Sequence, residues 1–137
     1  MGYTHYVRAT RTLTPLEWEQ FTNLVRAVFE TTTVPLSDGT GVDGTSPFIT
    51  QEQVNFNGVG DDSHENCAIT RTPRGVEFCK TAQKPYDAVV GAVYLLYQEI
   101  HGGEIISSDG DMSGEEWDDA RDLRTAAKLA LNPSNSA

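Results

Sequence analysis

The sequence predicts an α+β fold: a mainly antiparallel sheet of about five strands with three helices, in the order β-α-β-β-β-α-β-α. Three observations lead there. Two capping boxes and one proline-led start mark three helices. Short alternating runs mark the strands, and three of these follow one another between the first and second helices. Strands grouped this way pair with each other rather than across helical crossovers. The 137 residues, 38% of them hydrophobic, suit one core. Residues 1–131 are expected to form a single domain, and 132–137 a polar tail.

The run THYVRATRTL (4–13) alternates as a strand does. Thr14-Pro15-Leu16-Glu17 then opens a helix to about Thr31, with Trp18, Phe21, Val25 and Val28 on its buried face. Residues 32–50, including SDGTGVDGTS (37–46), are expected to form a long loop. EQVNFNG (52–58) reads as a strand with Val54 and Phe56 inward, followed by a turn-rich connection.

ENCAITRT (65–72) and VEFCKTA (76–82) are expected to form a hairpin through Pro73, Arg74 and Gly75. Pairing Ile69 with Phe78 keeps both in the core and sets Cys67 opposite Lys80. The two cysteines then point to opposite faces and stay reduced. Lys84-Pro85 starts an apolar central helix with Asp87 in its first turn, and Gly102-Gly103 ends it. EIISS (104–108) is the last strand. Ser113-Gly114-Glu115-Glu116 is the second capping box, opening a helix to about Leu131.

FCKTAQKPYD (78–87) poses the functional question, because polar residues crowd the junction between a strand and the most apolar helix. Lys80 and Lys84 beside a helix N-terminus suit an anion, and Tyr86 can stack or donate. A lysine paired with Glu65 and a helix capped by Asp87 would explain the same residues structurally. In NGVGDDSHEN (57–66), His64 can act as a base or bind a ligand, but glycine and aspartate also fill ordinary turns. His64, Cys67, Cys79 and His101 are the right atom types for zinc, but their spacing on extended chain fails. Asp109, Asp111, Ser113 and Gly114 partly match a calcium loop that has Ala120 where a glutamate is needed. Cys79 or Ser63 with His64 would make a nucleophile and base. There is no P-loop and no GxGxxG that follows a strand, so no cofactor is assigned.

A formal net charge of −10 repels phosphate backbones, which argues against direct nucleic-acid binding. It leaves room for a small anion in a local basic pocket, or for an acidic decoy. The ten-residue apolar run 88–97 is too short for a membrane span, and no signal segment precedes it, so a cytoplasmic protein is expected.

Four polar motifs, GYTHYV (2–7), FNGVGDDSHE (56–65), FCKTAQKPYD (78–87) and SSDGD (107–111), resemble in the same order those of a set of small tailed-bacteriophage proteins. Those proteins open with GYTHYW or a close variant; Val7 stands here where tryptophan is frequent. The resemblance implies a non-structural phage protein acting in the host cytoplasm. Such proteins often counter host defences, by capturing a nucleotide signal or by blocking a defence protein.

On this reading His5, Asn57, His64, Glu65, Lys80, Tyr86 and Asp109 converge at one sheet edge, and with Lys84 and Asp87 they bind a small anionic, nucleotide-derived ligand. No metal is assigned. The rival reading is an acidic inhibitor of a host defence protein, and a third is a small nucleotide hydrolase. Self-association is compatible with all three.

Overall fold

The computed structural model describes residues 3–131. The expected tail at 132–137, Met1 and the first residue of the GYTHYV motif, Gly2, lie outside the described residues. The class is α+β. The elements are β1 (Thr4–Val7), α1 (Pro15–Thr31), β2 (Phe48–Ile49), β3 (Gln53–Phe56), β4 (Cys67–Thr70), β5 (Glu77–Lys80), α2 (Asp87–His101), β6 (Ile106–Ser108) and α3 (Asp118–Leu131).

The expected single sheet is instead two antiparallel three-stranded sheets, ordered β5-β1-β6 and β2-β3-β4. β2 falls inside the segment expected to be loop. It is only two residues long, too short to produce an alternation.

α1 follows its sequence signals. Thr14 accepts from the Glu17 amide at 3.1 Å, and the Glu17 carboxylate accepts from the Thr14 amide at 2.9 Å. Trp18, Phe21, Val25 and Val28 are buried as the spacing predicts. The Glu17 carboxylate also accepts both Arg11 guanidinium bonds at 2.8 Å. Arg11 first, and then the Thr14 amide, hold the Glu17 pKa down at about 2. A carboxylate with a lowered folded pKa adds stability above its unfolded value, about 4.3, and loses it as pH falls toward 2. Glu17→Gln is therefore expected to flatten the acid limb of a stability–pH curve between about pH 4.5 and 2, measured by urea melts at each pH.

The second capping box does not form. Ser113 donates to Asp111 from both its amide (3.0 Å) and its hydroxyl (2.8 Å), and Glu116 accepts from the Asp111 amide at 2.8 Å. Asp111 takes the organising role, and a 3-10 turn at Glu115–Trp117 leads into α3. The same bonds lower the Asp111 pKa.

The three helices pack on one another. Phe21 meets Tyr97 edge-on at 5.3 Å, and Phe29 meets Phe56 at 5.1 Å, joining α1 to α2 and to the second sheet. Gly91 lets α3 approach α2: a Cβ there would lie 2.7 Å from the Ala120 Cβ and 3.1 Å from the Trp117 ring. Val54 and Phe56 are fully buried, as expected. Among the described residues, no helix is long and apolar enough to cross a membrane.

The hairpin expected from 65–82 is absent. β4 pairs with β3, and β5 leaves to pair with β1, in the register Thr4↔Lys80, His5↔Cys79, Tyr6↔Phe78 and Val7↔Glu77. The two sheets meet at Glu65 and Lys80. There the Glu65 amide donates to the Lys80 carbonyl at 3.3 Å, and the Lys80 amide donates to the Glu65 carboxylate at 3.1 Å.

Ile69 is inward as expected, but Phe78 is 48% exposed and Cys79 is buried in its place. A one-residue change of face turns over a whole strand. Lys80 does share a face with Phe78, but it is the solvent face.

The cysteines do not point apart. Both are free, fully buried and adjoining at the junction between the sheets. Burial first, and then the neighbouring Cys79 thiol, push the Cys67 pKa well up. A thiol that holds its proton is a poor nucleophile. Native protein should therefore take up iodoacetamide at Cys67 at least tenfold more slowly than urea-unfolded protein, as read by mass spectrometry.

Candidate functional site

The candidate site lies where β1 begins and both β5 and β6 end. The Thr81 amide donates to the Tyr3 carbonyl at 2.9 Å, and the Asp109 amide donates to the Thr4 carbonyl at 2.9 Å. Three chain segments distant in sequence are thus laced together at one end of the sheet.

Its inner layer is a buried polar chain centred on His5, which is 1% exposed. His5 Nδ1 contacts Ser108 Oγ at 2.7 Å, and Nε2 contacts Asp87 Oδ1 at 2.7 Å. With Nε2 protonated, the ring donates to the carboxylate and accepts from the serine. Thr81 donates its hydroxyl to the same Asp87 oxygen. Tyr3 and Trp117 flank the imidazole edge-on at 5.3 and 4.9 Å.

Asp87 stands in the first turn of α2, as expected. The helix itself starts there and not at Lys84-Pro85. Ala82 and Gln83 take positive φ (52° and 56°), and the following turn delays helical geometry until after Tyr86. The Asp87 carboxylate at this helix end is engaged by His5 and Thr81.

The outer layer is exposed. Tyr6 and Phe78 are cross-strand partners with ring centroids 6.5 Å apart, on the face that no helix covers. The Lys80 ammonium lies 5.7 Å from the Phe78 centroid. Asp109 accepts from the Thr4 amide at 3.0 Å and the Tyr6 hydroxyl at 3.3 Å. Among the described residues, no carboxylate lies within ion-pair distance of Lys80 or Lys84. Glu65 binds the Lys80 amide rather than its ammonium.

Two of the residues expected to bind a ligand serve the fold instead. Tyr86 is fully buried, and its hydroxyl donates to the Glu65 carbonyl at 2.6 Å, which stitches α2 to the junction between the sheets. Burial raises its pKa, so the hydroxyl remains a donor. Asn57 is 2% exposed and is consumed by backbone groups of its own loops. It fixes the backbone of His64, whose side chain is exposed. The structure thus joins His5, Asp87 and Asp109 at the sheet end. Glu65 sits beside Lys80, with His64 next in the chain, and Lys84 follows in the turn.

Comparison with protein-family models, curated proteins and solved structures finds no match.

Sequence reasoning missed Tyr6, Phe78 and Ser108. Tyr6 and Phe78 became visible once β5 was seen to pair with β1. Ser108 lies in the SSDGD motif, but only the pairing His5↔Ser108 places it beside His5. The zinc candidates do not gather, and among the described residues no three His, Cys, Asp or Glu side chains form a metal-binding group. His101 is instead engaged with the Thr10 amide at 3.1 Å and the Gly102 carbonyl at 2.7 Å.

Proposed function

We propose that this protein binds a small anionic, nucleotide-derived ligand on the uncovered face of the β5-β1-β6 sheet, and that in a phage-infected cell this captures a host defence signal. The observation carrying the reading is half-buried Tyr6 beside exposed Phe78 and Lys80: two aromatic rings beside an ammonium that, among the described residues, has no carboxylate partner. A flat base stacks on Phe78 and Tyr6, replacing the Tyr86 contact expected from sequence. Lys80 and Lys84 hold phosphate, and the Asp109 and Glu65 oxygens accept from base or sugar. Stacking on an aromatic ring contributes about 1–3 kcal/mol per base. The order of the polar motifs, which resembles that of small phage proteins, supports the setting.

The test is mass spectrometry of small molecules released by heat from protein purified out of infected cells. The expected result is a nucleotide, at least tenfold depleted in Phe78→Ala and Lys80→Ala variants that melt like the parent. Equal recovery from both variants would overturn the reading. A stoichiometric host protein in place of a nucleotide would favour the acidic-inhibitor alternative, which the net charge of −10 and the exposed Asp43 support. Loss of the nucleotide on incubation, with a product accumulating, would favour a hydrolase.

A further inference from the structure

The His5 chain has a composition that packing does not require. A serine, a histidine and an aspartate stand in line, with both contacts to the imidazole at 2.7 Å. Asp87 holds Nε2–H, so Nδ1 is the basic nitrogen and it faces the Ser108 hydroxyl. This is the relation between nucleophile, base and orienting carboxylate in acyl transfer, with the two ring nitrogens exchanged. His5 is sealed, but Ser108 is partly exposed at the end of an edge strand.

A second, independent observation lies beside it. The Tyr3 hydroxyl is buried and has no partner in hydrogen-bonding geometry, although it lies near enough to Ser108 for that hydroxyl to act on its pKa. It sits against Gly110, where a Cβ would overlap it, and the Gly110 amide is 3.0 Å from Ser108 Oγ. A buried, unused donor is costly in a finished core and useful where charge develops on a reacting oxygen. Burial, then Asp87 and Glu116, raise the Tyr3 pKa, which keeps its proton in place.

We infer that Ser108 is an activated nucleophile that accepts the acyl group of a small uncharged ester, with His5 as base, Asp87 as its orienting partner and Tyr3 as donor to the oxyanion. The charges around the site choose the substrate class. Asp87, Asp109 and Glu116 surround it, so a phosphate ester is repelled and a neutral carbonyl ester is not. Ser108 Oγ adds to the carbonyl carbon as its proton passes to His5 Nδ1. The carbonyl re-forms as the bond to the leaving oxygen breaks, and that oxygen takes the proton from His5. Water repeats the sequence to free the acid, and no redox partner is needed. The site lies beneath the Lys80 face and shares Asp109 with it, but the acyl transfer does not depend on a ligand bound there.

The full chain is treated with p-nitrophenyl acetate, and peptides are mapped by mass spectrometry. The expected result is a burst of nitrophenolate with acetyl on Ser108, absent from Ser108→Ala and at least tenfold slower in Asp87→Asn. Urea-unfolded protein should show no acetyl on Ser108, and p-nitrophenyl phosphate should give no burst. Because the acetyl is located on the parent protein, the result stands even if a variant fails to fold. No acetyl on Ser108 in native protein would overturn the inference. So would equal labelling in native and unfolded protein, an undiminished rate in folded Asp87→Asn, or a faster burst with the phosphate.

Discussion

Asn57→Ala is expected to destabilise the protein by about 3–4 kcal/mol, which a urea melt would read as a lower midpoint at unchanged slope. The amide of Asn57 donates to the carbonyls of Gly39 (3.1 Å) and His64 (3.3 Å), and its oxygen accepts from the amides of Gly58 (2.8 Å) and His64 (3.0 Å). Its backbone also bridges Ser37. One side chain thus ties the segment after α1 to the segment before β4. Truncation strands four backbone groups at a position 2% exposed, each costing about 1 kcal/mol. Asn57→Asp keeps the two acceptor contacts but loses both donors, so it should fall between the parent and alanine. A loss below about 1 kcal/mol for alanine would mean that these loops hold their shape without it.

The second large effect is His5→Ala, expected to cost about 4–5 kcal/mol in the same measurement. Two terms add. The ring fills space among Tyr3, Tyr94 and Trp117, and its removal leaves a cavity. Its two polar contacts also vanish, leaving Asp87 with Thr81 as its side-chain partner. His5→Phe separates the terms, because it restores volume but no hydrogen bond. Recovery of less than half the loss would show that the polar chain dominates. Full recovery would show that packing does.

The legible parts of the fold were those written in local periodicity. Trp18, Phe21, Val25 and Val28 announce the buried stripe of α1, and Val54 and Phe56 the inner face of β3. Asp87 announces a first helical turn. The face of β5 could not be read this way. In EFCK the inward residues are Glu77 and Cys79, so the largest apolar side chain is the one that faces water. What turns it outward is pairing with Tyr6, more than seventy residues earlier, and local alternation carries no trace of that.

Glu77 shows the same problem. Burial raises its pKa, and the Thr70 hydroxyl donates to it at 2.7 Å, a solution invisible without the neighbouring sheet. At the candidate site, sequence identified His5, Asp87 and Asp109 but not the serine between them. Tyr86 and Asn57 carry side chains typical of binding sites, but here those polar atoms are used up internally.

The central position of β1 has a consequence for synthesis. Its two neighbours, β5 and β6, arrive late: the hydrogen bond from the Thr4 amide to Asp109 spans 105 residues. At about 5–20 residues per second, β1 waits on the order of 5–20 s on the ribosome before its second edge can be covered. Until β5 emerges THYV is an exposed strand with both edges open, and one edge stays open until β6 follows, the state in which strands recruit one another from neighbouring chains. The acidic excess of the chain opposes such recruitment, because like-charged sister chains repel one another until the final strand closes the sheet.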